Sequence, residues 1–298
     1  MNQKKLLMAI DGNAVLTRAF YGVHEMTSPD GQPTNAVYGF LKIMERVIRE
    51  EGPDALCVAF DVSKDTFRRK MYPEYKQTRH PHPPELHMQV EPTKEVLRAM
   101  NVPVFELQDW EADDILGTIA AEDERAGWRT IIVTGDKDAL QLITCDTTIK
   151  MLKTGSSHMQ TINYTPERFY EEYHFSPFNL IDLKALMGDK SDNIPGVRGI
   201  GEKTAMALVQ KYGDLENIYR ALDGLVTPEG KPHRPSVRAR LEADKANARL
   251  SLNLATIRRH VPIDFVPERA LRQDPDRNAL KSLFSKMGMK SLIEEYKL

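Results

Sequence analysis

The stretch LLMAIDGNAVLTRAF, residues 6–20, joins a short apolar run to one aspartate and then to a segment with helical spacing. Leu6–Ile10 reads as a buried strand, Asp11 as its end, and a helix is expected from near Asn13. The same rhythm recurs downstream. ALCVAF (55–60), VPVFEL (102–107) and TIIVTG (130–135) are further strand candidates. PTNAVYGFLKIMERVIREEG (33–52) has helical apolar spacing, with Pro33 and Thr34 as a start and Gly52 as a stop. EADDILGTIAAEDERAG (111–127) is a helix closed by Gly127. Strands alternating with helices predict an α/β fold built on a parallel, doubly wound sheet. Such sheets bind ligands beyond the carboxyl ends of their strands. Asp11, Asp61 and Asp136 each follow a strand candidate, so they should converge on one rim.

The acids are punctuated rather than scattered. They fall in five short words: Asp11 in IDGN, Asp61 in AFD, Glu111, Asp113 and Asp114 in EADD, Asp136 and Asp138 in TGDKD, and Asp189 and Asp192 in GDKSDN. One aspartate after a strand is ordinarily a helix N-cap or a turn former, and acids in a first helical turn suit the macrodipole. One acid would serve either purpose, whereas neighbouring acids repel. So many carboxylates stay ionised together only beside cations, and hard oxygen donors select Mg²⁺ or Mn²⁺ over Zn²⁺. The chain therefore reads as a metal-dependent phosphate enzyme.

Composition sets the outer bounds. At 298 residues, 41% hydrophobic and 28% charged, the chain is long enough for a sizeable core and is not of a disordered class. A net charge of −2 alone predicts no nucleic-acid partner, but the bases are segregated. Lys64, Arg68, Arg69, Lys70, Lys76 and Arg79 face only Asp65 and Glu74 across 64–80, and a second basic stretch spans 231–260. An acidic centre with basic flanks suits a polyanion held beside metal ions. Cys57 and Cys145 are the only cysteines and read as unpaired residues of a reducing compartment. Leu6–Ile10 is too short for a signal peptide and no run reaches transmembrane length, so a soluble cytoplasmic protein is expected.

Residues 62–100 interrupt the rhythm with a basic, proline-rich segment too long for an ordinary loop. Within it FRRKMYPEYKQTR (67–79) interleaves cations with Phe67, Tyr72 and Tyr75, a pattern suited to single-stranded nucleic acid. His80, His82 and His87 lie among prolines without acidic partners, which disfavours a metal site there. From about 177 the chain turns mainly helical, and GSSHM (155–159) is read as a native turn. In IPGVRGIGEKTAMALVQKYG (194–213), Gly199 and Gly201 precede a helix opening near Glu202. Backbone N–H groups there can approach a phosphate, and Lys203 adds charge. A P-loop is excluded because Glu202 intrudes before Lys203 and no strand leads in.

Taken in order, IDGNAVLTRAF, AFD, FRRKMYPEYKQTR, EADD, TGDKD and GDKSDNIPGVRGIGEKTA resemble the bacterial 5′→3′ exonucleases of the flap-endonuclease superfamily, over nearly the whole chain. That family includes the N-terminal domain of DNA polymerases I and standalone nucleases. The resemblance implies a PIN-like nuclease core over 1–176 with an arch at about 62–100, and a helical region over 177–298 carrying a helix–three-turn–helix. It implies a first metal site from Asp11, Asp61, Glu111 and Asp113, and a looser second from Asp114, Asp136, Asp138, Asp189 and Asp192. Arg68 and Lys76 are implied as catalytic cations, with Tyr75 and Arg79 engaging the 5′ strand. Gly199, Gly201, Lys203 and Thr204 would grip duplex DNA, with Arg198 as an added phosphate contact. A K⁺ ion held by backbone carbonyls of that turn is also implied.

The expected chemistry is two-metal hydrolysis of phosphodiester bonds in 5′ flaps, nicked duplex ends and RNA primers, with Mg²⁺ replaceable by Mn²⁺. A monomer is expected, fused to or working with a DNA polymerase at the nucleoid. Two rival readings are a non-catalytic branched-DNA binding module of the same fold and a carboxylate-rich phosphatase acting on small esters.

Overall fold

The computed structural model describes residues 4–154, 159–231 and 234–298, so the GSSHM turn falls largely outside the described residues. Six strands form one sheet: β1 (Leu6–Asp11), β2 (Ala55–Ala59), β3 (Val104–Phe105), β4 (Arg129–Thr134), β5 (Thr147–Thr154) and β6 (Met159–Tyr164). Their order is β3-β2-β1-β4-β5-β6, and every pair is parallel except β5 with β6. The chain runs outward from β1 in one direction and then the other. The switch point therefore lies between β1 and β4, where a doubly wound sheet opens its binding crevice.

Both faces of the central strands are buried, which is why they read as unbroken apolar runs. Met8, Ile10, Val58 and Val133 pack on one side with α1 (Gly12–Gly22), α2 (Asn35–Glu51) and other helices. Leu7, Ala9, Cys57 and Ile132 face the opposite cluster. Asp11 ends β1 and starts α1 at once, its carboxylate accepting from the Ala14 N–H. Gly12 is required at that junction, because a Cβ would meet the Phe60 ring at 2.5 Å. α2 ends at Gly52 in the left-handed region, as expected of a C-terminal glycine.

The expected arch segment is only partly irregular. It holds the short α3 (Phe67–Met71) and α4 (Pro84–His87), then α5 (Val90–Ala99), whose Val96 and Leu97 are fully buried. Pro92 sits in the first turn of α5, where its missing N–H is tolerated. Gln89, also fully buried, locks the segment to α2 by accepting from Ala36 N–H and donating to Asn35. α6 (Ala112–Arg125) follows and packs on β1, β2 and β4.

Beyond the sheet come α7 (Pro166–Tyr173), α8 (Leu180–Met187), α9 (Glu202–Tyr212), α10 (Leu215–Arg220), α11 (Pro235–Ala243) and α12 (Lys245–Ala255). Their apolar faces share one buried cluster with α6 and the sheet. The last two helices, α13 (Arg277–Lys286) and α14 (Lys290–Glu295), return to the opposite face, where Leu280, Phe284 and Leu292 join the cluster of α2 and α5. Residues from the chain's end thus complete the core begun by β1.

Candidate active site

At the carboxyl ends of β1, β2 and β4 the chain opens a cavity of about 1500 Å³, lined among others by Asp11, Asp61, Glu111, Asp113 and Asp136. These belong to four separate words of the sequence, and the parallel sheet with α6 brings them together. Asp11 is held from two sides, accepting from Ala14 N–H at 2.9 Å and from the Thr134 hydroxyl at 2.7 Å. Asp61 accepts from the Ala112 N–H at 2.7 Å, the amino end of α6. Asn13 fixes the backbone there by accepting from the Asp61 N–H. Asp136 accepts from the Asp138 N–H at 2.9 Å.

Excess negative charge is evident at the rim. Burial pushes the Asp11 carboxyl up to about 6, with repulsion from Asp61 and Asp136 adding to it. Asp113 lies well above the ordinary carboxylate range through burial and then through Asp11 and Asp136. Such groups want a counter-cation, and their hard oxygen donors fit a divalent ion. Among the described residues, no three acids, histidines or cysteines stand close enough to hold an ion as arranged. Several of the expected ligands are instead drawn onto side-chain cations.

Four expected ligands lie away from the cavity lining. Asp138 and Asp189 both accept from Lys184, the latter at 2.7 Å. Burial raises Asp138 to about 6 with repulsion from Asp136, against the pull of Lys184. Burial also works on Asp189, but Lys184 and Ser191 outweigh it and hold that group at about 2. Asp192 accepts from Arg79 Nε at 3.0 Å and from the Tyr75 hydroxyl at 3.2 Å. The Asp189–Asp192 loop is shaped by Gly188 and Gly196, both at positive φ, and a Cβ on Gly196 would come within 2.3 Å of the Gly188 nitrogen.

Asp114 departs from its expected place among the metal ligands. It is fully buried and paired end-on with Arg68 at 2.7 and 2.8 Å, and it also accepts from the Arg258 and Glu111 N–H groups. With its oxygens committed to donors, it anchors α6 rather than facing the cavity. Arg68 departs likewise from the expected catalytic role. Only 2% exposed, it spends its remaining donors on the Leu254 and Thr256 carbonyls and on Glu111, which leaves none for a phosphate. Tyr75, expected to engage the 5′ strand, is 5% exposed and donates into Glu111 and Asp192. The interleaved aromatics thus pack inward: Phe67 meets Trp110 at 5.0 Å, and Arg258 stacks on its ring.

Lys76 does face the cavity, with its ammonium 2.9 Å from Glu111. Its φ of 56° is left-handed and its N–H donates to the Asp192 carbonyl, so the chain holds it in an unfavourable conformation. Arg79 is exposed at the cavity wall. The glycine turn lies further along, where Gly199 has φ 79° and Gly201 caps the exposed first turn of α9. Arg198 and Lys203 are exposed and Thr204 is half-buried. The Gly199 carbonyl accepts from Arg240 at 2.7 Å, and the Gly201 carbonyl from the Thr204 and Ala205 N–H groups.

Lys184, Thr134 and Asn13 stand outside the expected site residues, and Arg240 figures among them only as one cation of the basic stretch at 231–260. Lys184 alone carried a signal: a lysine between Leu183 and Ala185 in a buried helix must have found a charged partner.

The family described as 5′-3′ exonuclease, N-terminal resolvase-like domain, matches residues 6–174, and its C-terminal SAM fold matches 175–278. DNA polymerase I of Bacillus caldotenax is 40% identical over 292 residues, covering 98% of this chain and 32% of that protein. The chain spans about a third of the length of the curated relatives it matches. Among solved structures, T5 5′-exonuclease with bound zinc superposes with a TM-score of 0.68 at 20% identity, covering 97% of this chain and 98% of that one. The catalytic core of Rad2 in complex with DNA substrate gives 0.62 at 17% identity, covering 98% and 90%. At such identities these two likenesses speak to the fold alone.

Proposed function

Since the chain belongs to the 5′-3′ exonuclease family through both its sheet-bearing and its helical parts, we propose that it is a metal-dependent 5′ nuclease. Its substrates are 5′ flaps, nicked duplex ends and RNA primer junctions met in DNA replication and repair. The observation that carries this reading is the meeting of Asp11, Asp61, Glu111, Asp113 and Asp136 on one cavity, with Lys76 on its wall. Asp11, Asp61, Glu111 and Asp113 would hold a first Mg²⁺ or Mn²⁺, and Asp136 with Asp138, Asp189 and Asp192 a second. When bound, such ions supply an activated water and neutralise charge on the phosphate and the leaving oxygen.

The chain's own groups then have distinct tasks. Lys76 and Arg79 add positive charge where the phosphate develops negative charge. The exposed first turn of α9, with Gly199, Gly201, Lys203 and Arg198, offers backbone N–H groups and cations to the phosphates of the duplex. Arg240 already satisfies the Gly199 carbonyl, so a K⁺ ion at this turn would rest on the remaining carbonyls. Among the described residues no helix is long and apolar enough to cross a membrane. A monomer acting in the cytoplasm beside or fused to a DNA polymerase fits the curated relatives, which are DNA polymerases I.

Cleavage of a 5′-labelled flap substrate with Mg²⁺ and with chelator tests the reading. Mg²⁺-dependent release of short 5′-phosphorylated products is expected. Tight flap binding with no cleavage in either condition would make the chain a branched-DNA binding module instead.

A further inference from the structure

Lys184 belongs to none of the acidic words, yet it sits in the middle of two of them. Its ammonium donates to Asp138 from TGDKD and to Asp189 from GDKSDN, and the residue is only 8% exposed. Apart from Asp182, which is held by Asn179 and the Leu215 N–H, α8 is an apolar helix whose buried face packs on α9 and α12, so the lysine is not there to wet a surface. A buried ammonium with two carboxylates is where a cation bridging those carboxylates would also stand. The other acids proposed for the second ion divide unequally. Asp192 is already neutralised by Arg79, whereas Asp136 lines the cavity. The first set is different in kind. Asp11 is held by a hydroxyl and a backbone N–H and Asp61 by a backbone N–H, while Glu111 meets both Lys76 and Arg68.

From this asymmetry we infer that Lys184 is a built-in competitor of the second divalent ion, occupying its Asp138–Asp189 ligand pair and making that site the weaker of the two. The inference rests on the metal-dependent reading proposed above. An entering ion must displace the ammonium from two carboxylates, and until it leaves, the fixed positive charge opposes the ion directly. The lysine in turn bridges and neutralises Asp138 and Asp189 while no ion is present, so the loop that carries Asp189 stays tied to α8. A methionine or leucine at this position would give a nuclease with a tighter second site and a less stable metal-free state.

The test is Mn²⁺ binding to the whole 298-residue chain without DNA, by titration calorimetry, for the wild type, Lys184→Met and Lys184→Gln. Removing one opposing unit charge should tighten the weaker class of site by about tenfold in both variants, with the tighter class little changed. Melting in chelator gives an independent readout. Both variants should melt lower than the wild type and recover more on adding Mn²⁺. An unchanged or weakened second class, or a melting loss that Mn²⁺ does not restore, overturns the inference and leaves Lys184 a structural ion-pair partner. A wild type whose Mn²⁺ binding is indifferent to Asp113→Asn and Asp136→Asn would sink the metal-dependent reading itself, whatever the Lys184 variants do.

Discussion

Single side chains here divide into those that face the cavity and those that hold the rim in place, and residue type does not tell them apart. Asp113 and Asp114 are neighbours in sequence. One feels Asp11 and Asp136, while the other is buried under Arg68. Replacing Arg68 by Met would leave Asp114 a buried, unpaired charge and should lower folding stability by about 3–5 kcal/mol, read as a fall in denaturant midpoint with and without Mg²⁺. A stable variant that had lost only turnover would return Arg68 to the phosphate. Asp136→Asn should remove Mg²⁺-dependent cleavage while flap binding stays measurable, and near-normal turnover would take Asp136 out of the site. Lys76→Ala should lower the single-turnover rate by about a hundredfold while duplex affinity hardly moves, since its charge is aimed at the cleft. A pure affinity loss would make it a clamp.

Elements were legible where burial is uniform and obscure where it is not. β1, β2 and β4 announce themselves because both their faces are covered, so their middles are apolar runs: Leu6–Ile10, Ala55–Ala59 and Ile131–Val133. VPVFEL shrinks to a two-residue edge strand because β3 has only β2 as a neighbour. The β5–β6 hairpin gave no strand signal, since Lys150 and Lys153 interrupt its apolar positions, and Lys150 is buried only by pairing with Glu50 and Glu51. The basic stretch at 231–260 holds two helices that part at Asp244, which accepts from the Arg198 N–H and so ties α11 and α12 to the glycine turn. Turn geometry yields its own prediction. Gly196→Ala and Gly52→Ala both place an alanine at positive φ, costing about 1 kcal/mol each. Only at Gly196 does the new Cβ strike backbone, so that variant should unfold at distinctly lower denaturant and lose metal binding, whereas Gly52→Ala should keep it. Equal losses would mean the Gly188–Gly196 contact does not shape the Asp189–Asp192 loop.

Carboxylates are buried both at the rim and within α6, and the stability of the whole molecule should follow pH accordingly. Asp123, fully buried with Thr130 on one oxygen and, among the described residues, no partner on the other, is raised by burial from 3.8 to about 7. Asp11 and Asp138 are raised to about 6. Between the ordinary value of 3.8 and these raised values the folded chain keeps protons that the unfolded chain has released. Stability from these groups therefore falls as pH rises from about 4 to about 7. Melting of the metal-free protein should fall as pH rises from about 4 to about 7 and level off above that. Asp123→Asn should flatten that slope, and an unaltered slope would remove Asp123 as its source. Fold and rim were readable from the chain because strand, acid and helix follow one another locally. The return of α13 and α14 to the first core depends on packing between distant segments and left almost no local trace, and Lys184 signalled a charged partner without showing that it would be Asp138 and Asp189. On the function proposed above, the rim carboxylates hold divalent cations. Anomalous diffraction from crystals soaked in Mn²⁺ tests it most directly. A peak in the cavity among Asp11, Glu111 and Asp113 is the predicted result, and peaks confined to other surfaces would contradict it.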